Sequence, residues 1–533
     1  MKIDRQAKVA DSESIHCPKD ADRKAEKADL PIGWIITNIG ELYHFEYGKS
    51  LIKHSRTDSG EYPVFGSNGI VGKHDNYLIE GPALIVGRKG AAGAVSYSPD
   101  NCWPIDTTYF VRDTLNLSLK FSYYLLQSLN LTKHEKSTAI PGLNRNDAYA
   151  EPVLLPPLPE QKRIVAKIEE LLSELDKGIE SFKTAREQLK VYRQALLKHA
   201  FEGKLTAAWR EANKDKLETA DALLKRIQAA RAEHHRLQVK EWEKATKEWE
   251  KSGKKGKKPG KPSTLKVLPP LTAEELTELP ELPDGWGYMR IGGLIDDPTY
   301  GTAKKCDYIT DGVGVLRIPN VVLGKIDASD LKFAQFSEDE ISTYKLFAGD
   351  ILMIRSNGSI SIVGKGAIIS ETDIGYLFAG YLIRMRPHQK LVKPEYLHFM
   401  LSLHSVRKQI EQKAKSTSGV NNINSGEIQS LVVAYCNIEE QDLVVQDLDS
   451  RLSEIDNLDQ TITTALLQSE ALRQSILKKA FSGQLVPQDP DDEPAAVLLA
   501  RIKAERAVVK PDTKGGRATD RAPTRTRRKK ATL

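Results

Sequence analysis

The chain has 533 residues, a formal net charge of +6, and 40% hydrophobic against 28% charged residues, a composition that excludes collagen-like and wholly disordered proteins. No apolar run approaches the roughly 18 residues that span a bilayer, so no membrane association is expected. The opening MKIDRQAKVADSES lacks the apolar core of a secretory signal, and Cys17, Cys102, Cys306 and Cys436 lie far apart, as free thiols of a cytoplasmic protein would.

In chain order, residues 1–29 form a polar N-terminal extension, and LPIGW (residues 30–34) opens a first domain that runs to residue 155. Gly66-Ser67-Asn68-Gly69 after an apolar run predicts a hairpin. PALIVGRKGAAGAVSYS (82–98) predicts two apolar strands around the basic turn Gly87-Arg88-Lys89-Gly90. A helical stretch (118–131) and the Asn-containing loop PGLNRND (141–147) complete an α+β pattern.

Residues 156–205 read as a long helix, with Val165, Ile168, Leu172, Leu175, Ile179, Phe182, Leu189, Leu196 and Ala200 at 3/4 spacing. That is a coiled-coil seam, interrupted by Arg186 and Arg193 and closed by Gly203. Next comes a helical insert with a Lys-rich linker (206–281); between residues 251 and 266 it carries seven lysines and no acid. LPDGW (282–286) opens a second domain that extends to residue 435. Within it DILMIRSNGSISIVGKGAII (350–369) places Arg355-Ser356-Asn357-Gly358 as a turn where the first domain has its basic turn. VNNINSGE (420–427) repeats the Asn-rich loop, which reads as a structural junction. A second long helix lies within 436–506, broken by Asp459, Ser469 and Arg473, and a basic tail fills 507–533. The tail has nine basic residues against two acids, so tail and linker together outweigh the net charge and leave the body acidic. Such tethers add only sequence-independent affinity for phosphate.

The chain is a duplicated unit. Residues 160–205 align without a gap to 440–485, pairing Leu172-Ser173-Glu174 with Leu452-Ser453-Glu454 and Arg193-Gln194 with Arg473-Gln474. Ala200-Phe201 and Gly203 recur as Ala480-Phe481 and Gly483, and ADALLKRIQAARA (220–232) recurs as AAVLLARIKAERA (495–507). In both helices acids come early and bases late, so antiparallel pairing sets each acidic half against a basic one. The expected fold class is therefore α+β: two α+β domains separated by two long antiparallel coiled-coil helices with internal pseudo-two-fold symmetry. About 42 residues of helix would make a spacer of roughly 63 Å.

Arg88, Lys89, Asn68 and Lys73 in the first domain, and Arg355, Ser356, Asn357 and Lys365 in the second, are the candidate DNA-binding residues. Arg and Lys hold phosphate or the guanine edge, and Asn suits adenine. A bland role as turn residues stands beside that reading.

LPIGW and LPDGW, YPVFGSNGIVGKHDNY (62–77), ALIVGRKGAAGAV (83–95), PPLPEQKRIVAKIEELL (156–172), LRQSILKKAFSGQLV (472–486) and LLARIKAER (498–506) together resemble the specificity (S) subunits of type I restriction–modification systems. The resemblance covers about 30–506; the extension, the Lys-rich insert and the tail depart from it. It implies a non-catalytic subunit in which 30–155 and 282–435 are target-recognition domains, each reading half of a bipartite, asymmetric site in double-stranded DNA. The helical regions 156–205 and 436–506 would dock two methyltransferase (M) subunits, with Arg193, Phe201, Arg473 and Phe481 as partner-binding residues. Restriction/translocase (R) subunits would join through M. S-adenosylmethionine, ATP and Mg would belong to those partners, with no cofactor or metal on this chain. No Asn/Asp/Ser-Pro-Pro-aromatic motif, phosphate loop or HExxH occurs, and His234-His235 fall in a polar helix. A coiled-coil adaptor with protein-binding end domains and a stand-alone nuclease are the alternative readings.

Overall fold

The structure is a computed structural model that describes residues 30–508 apart from 112–116, 130, 132–141, 255–257, 263, 266, 310 and 418. The N-terminal extension, most of the basic tail and parts of the Lys-rich linker therefore lie outside the described residues. The chain divides into two compact units, one of the residues up to Phe182 together with those from Thr464, the other of Lys183–Thr463. Neither division falls at a domain edge. Both cut the long helices Leu158–Phe201 and Ile438–Phe481, each 44 residues, near their middles.

In the first unit a central strand, Ala83–Gly87, is buried at all five positions, as its unbroken apolar sequence requires. It pairs antiparallel with Val95–Ser98 on one side and Thr108–Val111 on the other, and Glu46–Tyr47 completes a four-stranded sheet. The expected hairpin is present: Tyr62–Gly66 pairs with Gly69–His74 through Ser67-Asn68, and Trp103–Pro104 adds a parallel edge. Ile35–Asn38 pairs with Pro152–Leu155 and closes the domain where it meets the helices. Leu84, Tyr109, Phe121 and Leu125 form one core with Ile164 and Ile168 of the first long helix, Ile476 and Ala480 of the second, and Leu498 and Ile502 of the last helix, Ala495–Val508.

The second unit repeats this plan. Ile351–Ile354 is the buried central strand of a sheet ordered Thr299–Tyr300, Leu382–Met385, Ile351–Ile354, Gly366–Ile368. Val313–Leu316 pairs with Lys332–Ala334 and, in parallel, with Leu377–Phe378. Gly287–Arg290 pairs with Val432–Tyr435. Its core takes Leu196, Leu197 and Ala200 from the first long helix, Val444 and Leu448 from the second, and Leu223 and Ile227 from the helix Ala220–Lys251. The matched segments 220–232 and 495–507 thus occupy equivalent places. Each buried aliphatic side chain contributes about 1.5–3 kcal/mol, so these seams, not the surface charges, hold domain to helix.

The helices pair antiparallel, as the charge pattern predicts. In the second unit Arg193 Nη2 meets Asp456 Oδ1 at 2.5 Å and Arg186 Nε meets Asp459 Oδ1 at 2.8 Å. In the first unit Arg473 meets Asp176, the pseudo-symmetric equivalent of the Arg193–Asp456 pair. Arg186 and Asp459, which each break the apolar period of their own helix, are therefore opposite one another, while Arg193 and Arg473 each face an aspartate of the other helix. Phe182, assigned to the seam by spacing, is instead exposed. Both helices end in the glycine the sequence marks: Gly203 and Gly483 have φ of +70° and +74°, and Lys204 N–H and Gln484 N–H reach back to the carbonyls of His199 and Lys479.

The opening motifs lock onto these ends. A Cβ on Gly203 would meet Pro283 at 2.7 Å, and one on Gly483 would collide with Pro31. Each LPxGW motif thus rests on the glycine that closes the other repeat's helix. Within the first unit Trp34 Nε1 donates to the buried Glu160 at 2.8 Å. In the second, Arg210 and the Thr206 hydroxyl donate to the equivalent Glu440.

Candidate nucleic-acid interface

The two basic turns proved to be one construction built twice. Arg88 follows the central strand of the first domain; its backbone carbonyl accepts from Leu143 N at 2.9 Å. Its guanidinium stacks over Tyr47, 5.4 Å from the ring centroid, and donates through Nη2 to the Asp106 carbonyl at 2.6 Å. Arg355 follows the central strand of the second domain, and its carbonyl accepts from Ile423 N, also at 2.9 Å. Its guanidinium lies 4.7 Å over Tyr300 and donates to the Gly380 carbonyl at 3.1 Å. Tyr47 and Tyr300 keep 54% and 40% of their surface exposed. Each domain therefore presents a tyrosine face with an arginine fixed across it, an arrangement suited to sugar–phosphate or base contact. A guanidinium has five donors, so one held at one edge retains others for a ligand.

Around the first platform the Ser67 hydroxyl bonds to the carbonyls of Lys89 and Thr107, at 2.5 and 2.7 Å, and so ties the hairpin turn to the basic turn. Asn68 and Lys89, both exposed, are brought together by this tie. Lys73 is also exposed, but pairs with Pro63 at the far end of the hairpin, away from that group. Sequence reasoning missed Tyr47 and Arg145. The Arg145 guanidinium also lies over the Tyr47 ring, 5.3 Å from its centroid. It sits in PGLNRND, whose Asn144 caps the short helix Arg145–Tyr149; Pro141 of that motif lies outside the described residues.

In the second domain one expectation is corrected. Ser356–Asn357 is not a free turn but a short strand that pairs with Val420–Asn422, Ser356 opposite Asn422 and Asn357 opposite Asn421. The Asn-rich loop supplies the backbone partners that make it one, while Asn424 and Glu427 form a capping box on the next helix. Lys365 is exposed but lines a cleft of about 570 Å³ with Arg193 and Leu197, on the side of the long helix. Sequence reasoning also missed Tyr308, flanked by Lys332 at 4.7 Å and Arg317 at 5.9 Å.

The four partner residues fare differently. Phe201 is a correction: it is buried, 5.0 Å from Tyr396, because the helix end that carries it is a wall of the domain core. Phe481 likewise packs 5.5 Å from Phe121 and is only partly exposed. Arg193 and Arg473 make the interhelical ion pairs described above. Trp242 of the insert donates to the Pro259 carbonyl at 3.0 Å and so folds back on its own chain.

Each half of the chain thus carries an α+β domain seated on an antiparallel helix pair, with one arginine–tyrosine platform per domain. Residues 31–189 match the family described as type I restriction modification DNA specificity domain. The chain is 29% identical over 518 residues to the type I restriction enzyme EcoKI specificity subunit of Escherichia coli (strain K12), across 90% of this chain and 96% of that one. It is 25% identical over 499 residues to the EcoDI specificity subunit of Escherichia coli, with the same coverage. A chain solved in work on complex assembly and conformational transition of the type I R-M system shares the fold, with a TM-score of 0.58 at 17% identity over 85% of this chain and 99% of that one. Along nearly its whole length this chain is thus similar to specificity subunits of type I restriction–modification systems, and residues 31–189 carry the matching specificity domain. Among the described residues no helix is long and apolar enough to cross a membrane.

Proposed function

We propose that each domain reads one half of a bipartite, asymmetric target in double-stranded DNA, and that the chain itself is non-catalytic. The observation that carries this reading is the platform: Arg88 on Tyr47 and Arg355 on Tyr300, equivalent in backbone bonding yet surrounded by different side chains. An identical frame with different rims suits two half-sites of different sequence. The helical regions would dock two M subunits, with R subunits joining through them. S-adenosylmethionine, ATP and Mg would act on those partners. Because Phe201 is buried in the core, docking on the first helical region would use other side chains of that helix.

Selection of bound duplexes from a random pool, with M subunit present, tests the reading. Two short fixed motifs at a constant gap are expected. Binding without enrichment for any sequence would instead favour an adaptor whose end domains bind proteins.

A further inference from the structure

The helix Ala220–Lys251 runs well past the stretch it shares with Ala495–Val508, and its extra length carries His234. Beneath it, in the same unit, the pairing of Ile295 with Pro387 sets Asp296 beside His388. That placement is rigid, because Asp296 N–H donates to the Arg386 carbonyl and His388 N–H to the Leu294 carbonyl, both at 2.9 Å. His388 Nε2 lies 3.5 Å from Asp296 Oδ1 and His234 Nε2 lies 3.8 Å from the same oxygen. One ligand atom from each of the three residues falls within 4.8 Å of the others. An ion held at about 2.0–2.1 Å in tetrahedral geometry needs ligand atoms roughly 3.4 Å apart, so both pairs that share Asp296 are already near that spacing. Beside the cluster a cavity of about 590 Å³ leaves room for water as a fourth ligand.

We propose that His234, Asp296 and His388 form a binding site for a divalent transition ion of the zinc class, which staples the extended helix to the second domain. Two imidazoles and one carboxylate suit zinc, cobalt or nickel far better than magnesium or calcium. Two ligands come preset by a backbone ladder, and only His234 must adjust, giving up its 2.9 Å contact with Gln238 one turn along the same helix. Arg231 lines the same cavity as a positive charge, against which stand Asp296, Asp297 and Glu241.

Metal-stripped full-length chain titrated with Zn2+ should bind one equivalent saturably, and Co2+ in its place should give visible d–d bands. His234→Gln, at an exposed position that leaves the core intact, and His388→Gln should each weaken binding by more than about tenfold. His44→Gln in the first domain should leave binding unchanged. Amide exchange in the helix around residue 234 should slow with Zn2+ in the native chain and not in the His234→Gln variant. No saturable binding below about 100 µM, binding unaffected by both substitutions, or binding without slowed exchange would each overturn the proposal.

Discussion

Arg88 and Arg355 are held from both sides, by a carbonyl and by a tyrosine ring, so their positions are fixed before any ligand arrives. Preset side chains lose little entropy on binding, which favours discrimination. Arg88→Ala should therefore weaken recognition of one half-site by about 1–3 kcal/mol, and Arg355→Ala the other by a similar amount. Competition with duplexes altered in one half at a time would check this; equal weakening on every sequence would make these residues phosphate contacts instead. A second prediction concerns Glu440, whose carboxylate is 1% exposed and faces an Arg210 guanidinium 10% exposed. Glu440→Ala leaves that cation buried without its partner and should cost about 3–5 kcal/mol in urea unfolding of the second unit. At this scale the sequence was only partly legible. Basic residues beside glycine marked Arg88 and Arg355, whereas Tyr47 and Tyr300 sit on two-residue edge strands too short to show any periodicity.

The helix pair shows what a broken heptad means. Arg186 bonds to both Asp459 and Thr463, so the polar interruption in one helix answers that in the other. Both ions are about two-fifths exposed, and a pair screened by solvent in this way adds little to stability. Its value lies in orientation and register, because a shifted pairing would set each charge against apolar side chains. Replacing both with leucine should leave the melting temperature equal or higher, while Arg186→Leu alone should lower it; a lower melting temperature in the double variant would contradict this. The Arg186 hydrogen bond holds the Asp459 carboxyl below its usual value. That contribution is present above the ordinary aspartate range near pH 4 and fades as pH falls through the depressed value. The double leucine variant should lack this part of the acid sensitivity, as read by helix content in an acid titration. The helices were legible because a 3.5-residue period sustained over many turns is hard to mistake. Phe182 fits the spacing yet is exposed, a tertiary outcome that spacing alone does not encode.

For the whole molecule, duplication was the most legible feature, since a gapless match between two segments needs no structural knowledge. What the sequence hid were contacts between distant segments. His234, Asp296 and His388 are separated by scores of residues and match no motif, and Ser356–Asn357 becomes a strand only because Val420–Asn422 lies beside it. If the paired helices set the separation of the half-sites, deleting seven residues from each should shorten it by about 10.5 Å, close to three base pairs. Repeating the selection with that variant should return the same two motifs with a gap three pairs shorter. An unchanged gap with weakened binding would remove the helices from that role.

The discontinuous make-up of the first unit has a consequence for synthesis. Its last helix returns to the start of the chain, where Arg506 donates to the carbonyls of Gly40 and Glu41 at 2.9 Å and Lys503 pairs with Glu41. The second unit, Lys183–Thr463, is continuous and can finish as soon as it leaves the ribosome. The first domain emerges earlier but must wait through those 281 residues for Ile476, Leu498 and Ile502, a delay of roughly 15–60 s at ordinary elongation rates. During that interval the nascent polypeptide carries an uncovered greasy flank on its oldest part, so the domain made first is the one completed last.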